Sequence, residues 1–321
     1  MIESFNYVIT FVLSCFLLAF SGKKLFEALA KIAKFLGWKE FVVAFFFVAF
    51  SVSIPNFFVG IISAAKNIPE LSFGDVIGGN VVAMTFLVAI GALVSKGGLS
   101  APSRTVQESA LFTIFIAILP VLLGLDKKLS RIDGLILLTS FLFYILWLFV
   151  KKERFIKVYD GIVEPLTIKV FFKNFVIFLV SMATLLVSAN LIVNSALFFA
   201  KHFSIPIILV GIFMLGLGNN LAELIFILQA ATRAQDWIIL GDLMGGVIIT
   251  STLVLGLVCL LSPFQITEIP SIILARIFLI LASIFFFLTV RTDKKITRRE
   301  AIFLLVFYLT FLTLEILIKQ F

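Results

Sequence analysis

A glutamate stands inside a long apolar run. In LGLGNNLAELIF, residues 215 to 226, Glu223 follows Asn219 and Asn220, while the flanking residues from 205 to 232 are mostly apolar. A carboxylate at bilayer depth costs at least about 2.5–3.5 kcal/mol on insertion scales, so it points to a functional site. The local spacing is that of a helix start: Asn220-x-x-Glu223 has the form of a capping box. Ser53-Ile-Pro-Asn56 repeats that form with a proline in the first turn, where its missing N–H does no harm. Both stretches fall near the middle of their apolar runs. A start signal there implies an interrupted helix, whose freed backbone groups must face protein or a water-lined cavity. Freed carbonyls and capping side chains are oxygen ligands for a small hard cation. The alternative is that Glu223 only caps its own helix in protonated form.

Two glycine-rich motifs carry further acids. LSFGDVIGGN (71–80) and ILGDLMGGV (239–247) place Asp75 and Asp242 at the start of apolar segments. Either residue can be an N-cap at the positive end of a helix dipole, or an ion or proton site, and both readings stand. The paired glycines allow close helix approach. Asn190, Asn194 and Ser195 follow an apolar run and read as interfacial. Arg276 and Glu315 lie near the ends of apolar runs, where long side chains snorkel to water. His202, the single histidine, reads as a solvated loop residue, and Cys15 and Cys259 have no metal-ligand or redox spacing. No HExxH, P-loop or nucleophile–histidine pair is present, so the chain does not read as an enzyme and needs no cofactor.

These residues must be positioned by membrane-spanning helices. Of 321 residues, 62% are hydrophobic and 14% charged. Apolar runs of about 20 residues signal spanning helices, and they recur at 3–21, 41–65, 71–95, 106–125, 132–150, 169–190, 205–232, 238–262, 270–290 and 299–318. The amphipathic segment 23–40 either lies at the interface or continues the first span. The N-terminus carries Glu3 in place of a basic region and does not read as a signal peptide. Most of the 26 lysines and arginines fall in alternate loops, with clusters at 151–157 and 291–299. The positive-inside rule then puts both termini outside a cell membrane, and it accounts for the net charge of +8 without a nucleic-acid partner. The lipid bilayer and inorganic cations are the expected partners; the oligomeric state is not legible.

The chain also resembles itself. A shift of 167 residues lays GDVIGG (74–79) on GDLMGG (241–246), Thr85 on Thr252, Lys66 on Arg233, and Asn56 on Glu223. The expected fold is an all-α membrane protein of ten transmembrane helices in two five-helix repeats, 1–150 and 169–321, joined by a cytoplasmic linker at 151–168. Five is odd, so the second repeat enters from the opposite face and the repeats are inverted. Helices 2, 3, 7 and 8 are expected to be broken.

Ten spans in two inverted halves, with helix-breaking motifs in spans two and seven and glycine motifs in spans three and eight, resemble the calcium/cation antiporter superfamily, which includes the sodium/calcium exchangers. Its first motif usually reads Gly-Thr-Ser-x-Pro-Glu; here the copies read Ser51-Val-Ser-Ile-Pro-Asn56 and Gly218-Asn-Asn-Leu-Ala-Glu223. Its second usually reads Gly-Asn-x-x-Gly-Ser-Asn, followed three residues later by Asn or Asp. Here the copies begin Gly74-Asp75 and Gly241-Asp242, carry Gly79 and Gly246 in place of serine, and end at Ala83 and Thr250. The resemblance implies an ion site on spans 2, 3, 7 and 8. Glu223 and Asn56 would be the central pair, flanked by Ser53, Asn220, Val52 and Asn219, with Thr250 adding a hydroxyl. It implies secondary active cation antiport by alternating access, with Ca2+ exchanged for Na+ or H+. One central carboxylate in place of the family's two leaves a bound Ca2+ undercompensated unless Asp75 or Asp242 reaches the site. Monovalent cation/proton antiport, a non-transporting homologue and a ten-span metabolite exporter are the alternatives.

Overall fold

A computed structural model describes residues 2–36, 53–101, 104–150, 167–232, 236–267, 270–292 and 294–318. The chain is mostly helical. Helix α1 (Ile2–Phe35) runs on into the amphipathic segment, so the described part of that segment continues the first span. Then come α2 (Ile54–Ala65), α3 (Pro69–Val94), α4 (Arg104–Leu123) and α5 (Arg131–Val150). Helix α6 (Ile168–His202) opens the second half, followed by α7 (Ile207–Thr232). Helix α8 starts as Asp236–Ile249 and continues to Leu261; α9 (Pro270–Thr292) and α10 (Arg298–Ile318) complete the set. Among the described residues eight helices are long and apolar enough to cross a membrane, and α2 is a shorter apolar helix. The expected second run, 41–65, lies outside the described residues over its first part, as do the linker residues 151–166 and Arg233.

The surface is that of a protein solvated by lipid. Phe115 is 68% exposed and Leu146 64%, whereas Asp75, Asn80, Asn219 and Asn220 are buried inside the helix assembly. Hydrocarbon cannot satisfy polar groups, so they turn inward.

The 167-residue spacing recurs in the elements. Ile54–Ala65 maps onto the helical piece Leu221–Thr232, Pro69–Val82 onto Asp236–Ile249, and the π-helical turn Ala83–Leu87 onto the π-helical turn Thr250–Val254. At each turn a threonine hydroxyl donates to the carbonyl four residues back, Thr85 to Val81 and Thr252 to Ile248. Two true capping boxes also repeat. Ser130 N–H donates to Asp133 Oδ2 at 2.7 Å, and Thr297 N–H donates to Glu300 Oε2 at 2.7 Å, opening α5 and α10.

The helices that open the two halves, α1 and α6, pack antiparallel. Tyr7 stacks on Phe198 at 3.9 Å near one end, and Phe35 meets Phe171 at 4.9 Å near the other. Two short antiparallel ladders, each with one strand from either half, pair β1 (Leu99–Ser100) with β4 (Lys295–Ile296), and β2 (Lys128–Leu129) with β3 (Phe264–Gln265).

Several expectations are corrected. Spans three and eight are not broken: α3 and α8 run through their glycine motifs and absorb the irregularity as a π turn, which keeps the backbone hydrogen-bonded. Asn190, Asn194 and Ser195 do not follow the sixth helix but lie in the later part of α6, which at 35 residues extends beyond its apolar run; their interfacial reading stands, and Lys66 at the end of α2 donates a hydrogen bond to Asn194. His202 is exposed as expected, but as the last residue of α6 and not in a loop. Arg276 and Glu315 do not snorkel; they are 7% and 3% exposed. Arg276 donates to Gly124 O at 3.2 Å and lies over the Phe73 ring, so its charge is spent on the turn after α4 and on α3.

Candidate functional site

The centre is built where α3 crosses the first part of α7. That crossing needs glycine. A Cβ on Gly78 would lie 2.1 Å from Ile212 O, and one on Gly216 would lie 2.9 Å from Gly79 N. The backbones therefore touch, and the turn that interrupts α7 is pressed against the glycine motif of α3.

That turn is at Asn219–Asn220, where the sequence places the break. Before it α7 has a π-helical stretch, Gly211–Leu215; after it the helix restarts at Leu221. The capping box expected at the restart is not formed by side chains. Asn220 Nδ2 donates back to Gly216 O and, at 3.5 Å, to Gly79 O on α3. Glu223 makes no side-chain hydrogen bond among the described residues, and its buried Oε1 has no partner. Ser53 stands at the N-cap of α2, yet its hydroxyl does not cap: among the described residues it too is buried without a partner. Buried polar atoms are almost always bonded, so each orphan asks for a ligand.

Of the buried unpartnered atoms, those of Ser53 and Glu223 meet at one place. Ser53 and Asn56 from α2 line a small cavity together with Asn220 and Glu223 from α7. Asp75, Gly79, Asn80 and Ala83 of α3 line it as well, with Gly246, Val247 and Thr250 of α8. The cavity has about 10 Å³ of free room, roughly what one water-sized particle needs. The expected residues Glu223, Asn56, Ser53, Asn220 and Thr250 are thus brought together. Asn219 sits just behind them, its Nδ2 donating to Asp75 Oδ2 at 2.9 Å while its buried Oδ1 has no partner. Val52 lies outside the described residues.

The two motif aspartates are not N-caps. Asp75 lies inside the helical stretch Pro69–Val82 and Asp242 inside Asp236–Ile249. Asp75 reaches the cavity wall; Asp242 does not line it.

One participant went unnoticed in the sequence. Thr250 Oγ1 donates to Asn80 Oδ1 at 3.0 Å, and Asn80 Nδ2 donates to Ser251 Oγ at 2.7 Å, across 170 and 171 residues of chain. The 167-residue counterparts of Asn80 and Thr250 are Val247 and Ala83, so one wall of the cavity is polar and its counterpart apolar. The signal was Asn80 itself, a polar residue ending a glycine motif in an apolar run, but its partner could only be found in space.

The sequence model of the sodium/calcium exchanger protein family matches residues 6–150 and again 173–317. The chain belongs to the sodium/calcium exchanger family. The two matches begin and end 167 residues apart (6 to 173, 150 to 317), the spacing seen in the elements. Among relatives, the sodium/calcium exchanger MaX1 of Methanosarcina acetivorans is 23% identical, aligned over 89% of this chain and 91% of that one. The inner membrane protein YrbG of Escherichia coli is 20% identical over 79% and 80%. A solved structure of the sodium-calcium exchanger NCX_Mj superposes with a TM-score of 0.63 at 22% identity, covering 98% of this chain and 99% of that chain, which shows a shared exchanger fold. The chain is therefore a multi-pass integral membrane protein of a family of cation transporters, not of enzymes.

Proposed function

We propose that this chain is a secondary active cation antiporter that exchanges Ca2+ for Na+ or H+ at the cavity between α2, α3, α7 and α8. The observation that carries the reading is the pair of buried, unpartnered oxygens, Ser53 Oγ and Glu223 Oε1, on the wall of one ion-sized space. Ser53, Asn56, Asn220, Glu223 and Thr250 would supply oxygens, and Asn219 and Val52 would border the site. Calcium takes six to eight oxygens, and a cavity lined by amides, hydroxyls, carboxylates and helix backbone can offer such a set.

The spans would form two five-helix units, 1–150 and 169–321, of opposite orientation, with 151–168 as a cytoplasmic linker. The antiparallel packing of α1 on α6 supports inversion. So do the two ladders. β1 and β4 belong to loops expected inside, β2 and β3 to loops expected outside, and strands pair only within a side. Ten spans would put both termini on one side of the cell membrane, and the basic alternate loops make that side the outside. Alternating access would then come from one unit rocking against the other about the midplane cavity.

The second reading is monovalent cation/proton antiport, favoured by the amide of Asn56 where its counterpart Glu223 carries a charge. A non-transporting homologue is the third, on the ligands missing at Asn56, Gly79, Ala83 and Gly246. Radiotracer exchange by purified protein in liposomes separates them. Calcium uptake driven by an opposed Na+ or H+ gradient supports the first reading. Na+ or K+ flux driven only by a pH gradient supports the second. No coupled flux under any gradient sinks both.

A further inference from the structure

Glu223 alone cannot balance a divalent ion, and its counterpart at position 56 is an amide. We infer that Asp75 is the second carboxylate of the ion site, moved from α2 to α3, and that Asn219 is the residue that positions it for a divalent cation. The inference rests on the antiport reading and adds to it the group that sets the valence.

Four observations converge. Asp75 is 2% exposed and lines the same cavity as Glu223, about 10 Å³ in size. It lies within a helix, not at its first turn, so the helix end does not explain the charge. Among the described residues no lysine or arginine neutralises it, and its one hydrogen-bond partner is the neutral amide of Asn219. Ser53, 1% exposed, faces the cavity with an unpartnered hydroxyl, which marks the space as a ligand's.

Two carboxylates against one water-sized space repel strongly in a low dielectric, and a cation between them removes that repulsion. A monovalent cation leaves one negative charge over; a divalent cation leaves none. Asn219 makes the arrangement responsive. It belongs to the turn that interrupts α7, so its 2.9 Å bond to Asp75 ties the carboxylate on α3 to the break on α7. The same turn carries Asn220, bonded to Gly79 O on α3, so the break is held to this helix at two points.

The test is calcium binding and counter-ion-driven calcium uptake by the purified full chain in liposomes, for four variants. Asp75→Asn should weaken Ca2+ at least about tenfold, the scale of losing one charged ligand, while Glu223→Gln abolishes uptake. Adding Asn56→Glu to Asp75→Asn should restore most of the affinity, because it returns the carboxylate to α2. Asn219→Ala keeps both charges and should weaken Ca2+ by about threefold to tenfold, with uptake at saturating Ca2+ retained. Folded Asp75→Asn protein with wild-type Ca2+ affinity overturns the inference and leaves the antiport reading standing if Glu223→Gln is still inactive. Should Asp75→Asn fail to fold, wild-type affinity in Asn219→Ala overturns it instead. Uptake unaffected in Glu223→Gln removes the antiport reading itself.

Discussion

At the scale of single residues, the same spacing does two jobs. Thr297-x-x-Glu300 and Ser130-x-x-Asp133 close hydrogen-bonded capping boxes. Asn220-x-x-Glu223, at the break inside α7, closes none and leaves Glu223 Oε1 free. Sequence spacing identified the last as a helix start but could not tell a satisfied cap from an open ligand, because that depends on what faces it; the other two boxes were found only in the structure. Ser53 is the cleanest probe. A hydroxyl with no protein partner contributes little to folding, whereas an ion ligand contributes to affinity. Ser53→Ala should therefore leave the thermal midpoint of the ion-free protein unchanged and weaken cation binding by about threefold to tenfold. A clear drop in thermal midpoint with unchanged affinity would mean that Ser53 is structural. Arg276 and Glu315 were misread for a related reason. Position near a span end suggested a route to water, but α9 and α10 are packed there, and Arg276 found Gly124 O and the Phe73 ring instead.

At the scale of elements, the glycine motif of α3 acts through what it lacks. Gly78 admits the backbone of Ile212 at a distance no side chain tolerates. Gly78→Ala should cost about 1–3 kcal/mol or more through overpacking, read as a lower thermal midpoint or loss of the monodisperse protein. A variant of normal midpoint would show that the two helices do not touch as described. The sequence showed that glycines cluster here and that close packing follows. It did not show the π turns at Ala83–Leu87 and Thr250–Val254, because one residue of extra slack in a helix leaves apolar periodicity nearly intact. Aligned threonines at 85 and 252 were the visible trace, and their hydroxyls do bond backbone at both turns.

At the scale of the whole molecule, the 167-residue self-resemblance was legible from one six-residue window and proves to index helices, π turns and capping boxes alike. The cross-half ladders and the Asn80–Thr250 bond were not legible, since they join residues 135 to 197 and 170 positions apart. The ladders make the topology testable. Lys128 and Lys295 are exposed in different ladders, and the native cysteines are buried. In intact cells Lys128→Cys should react with an impermeant maleimide and Lys295→Cys only after permeabilisation. Labelling of both from the same side would contradict the inverted arrangement.

The central claim is that Glu223 binds the transported cation, and Ca2+ exchange by Glu223→Gln in liposomes tests it most directly. Gln keeps the size of the side chain and removes the charge. The account predicts that wild-type protein takes up Ca2+ against an opposed Na+ or H+ gradient, and that folded Glu223→Gln protein falls to the rate of protein-free liposomes. Folded Glu223→Gln protein exchanging at the wild-type rate would contradict it.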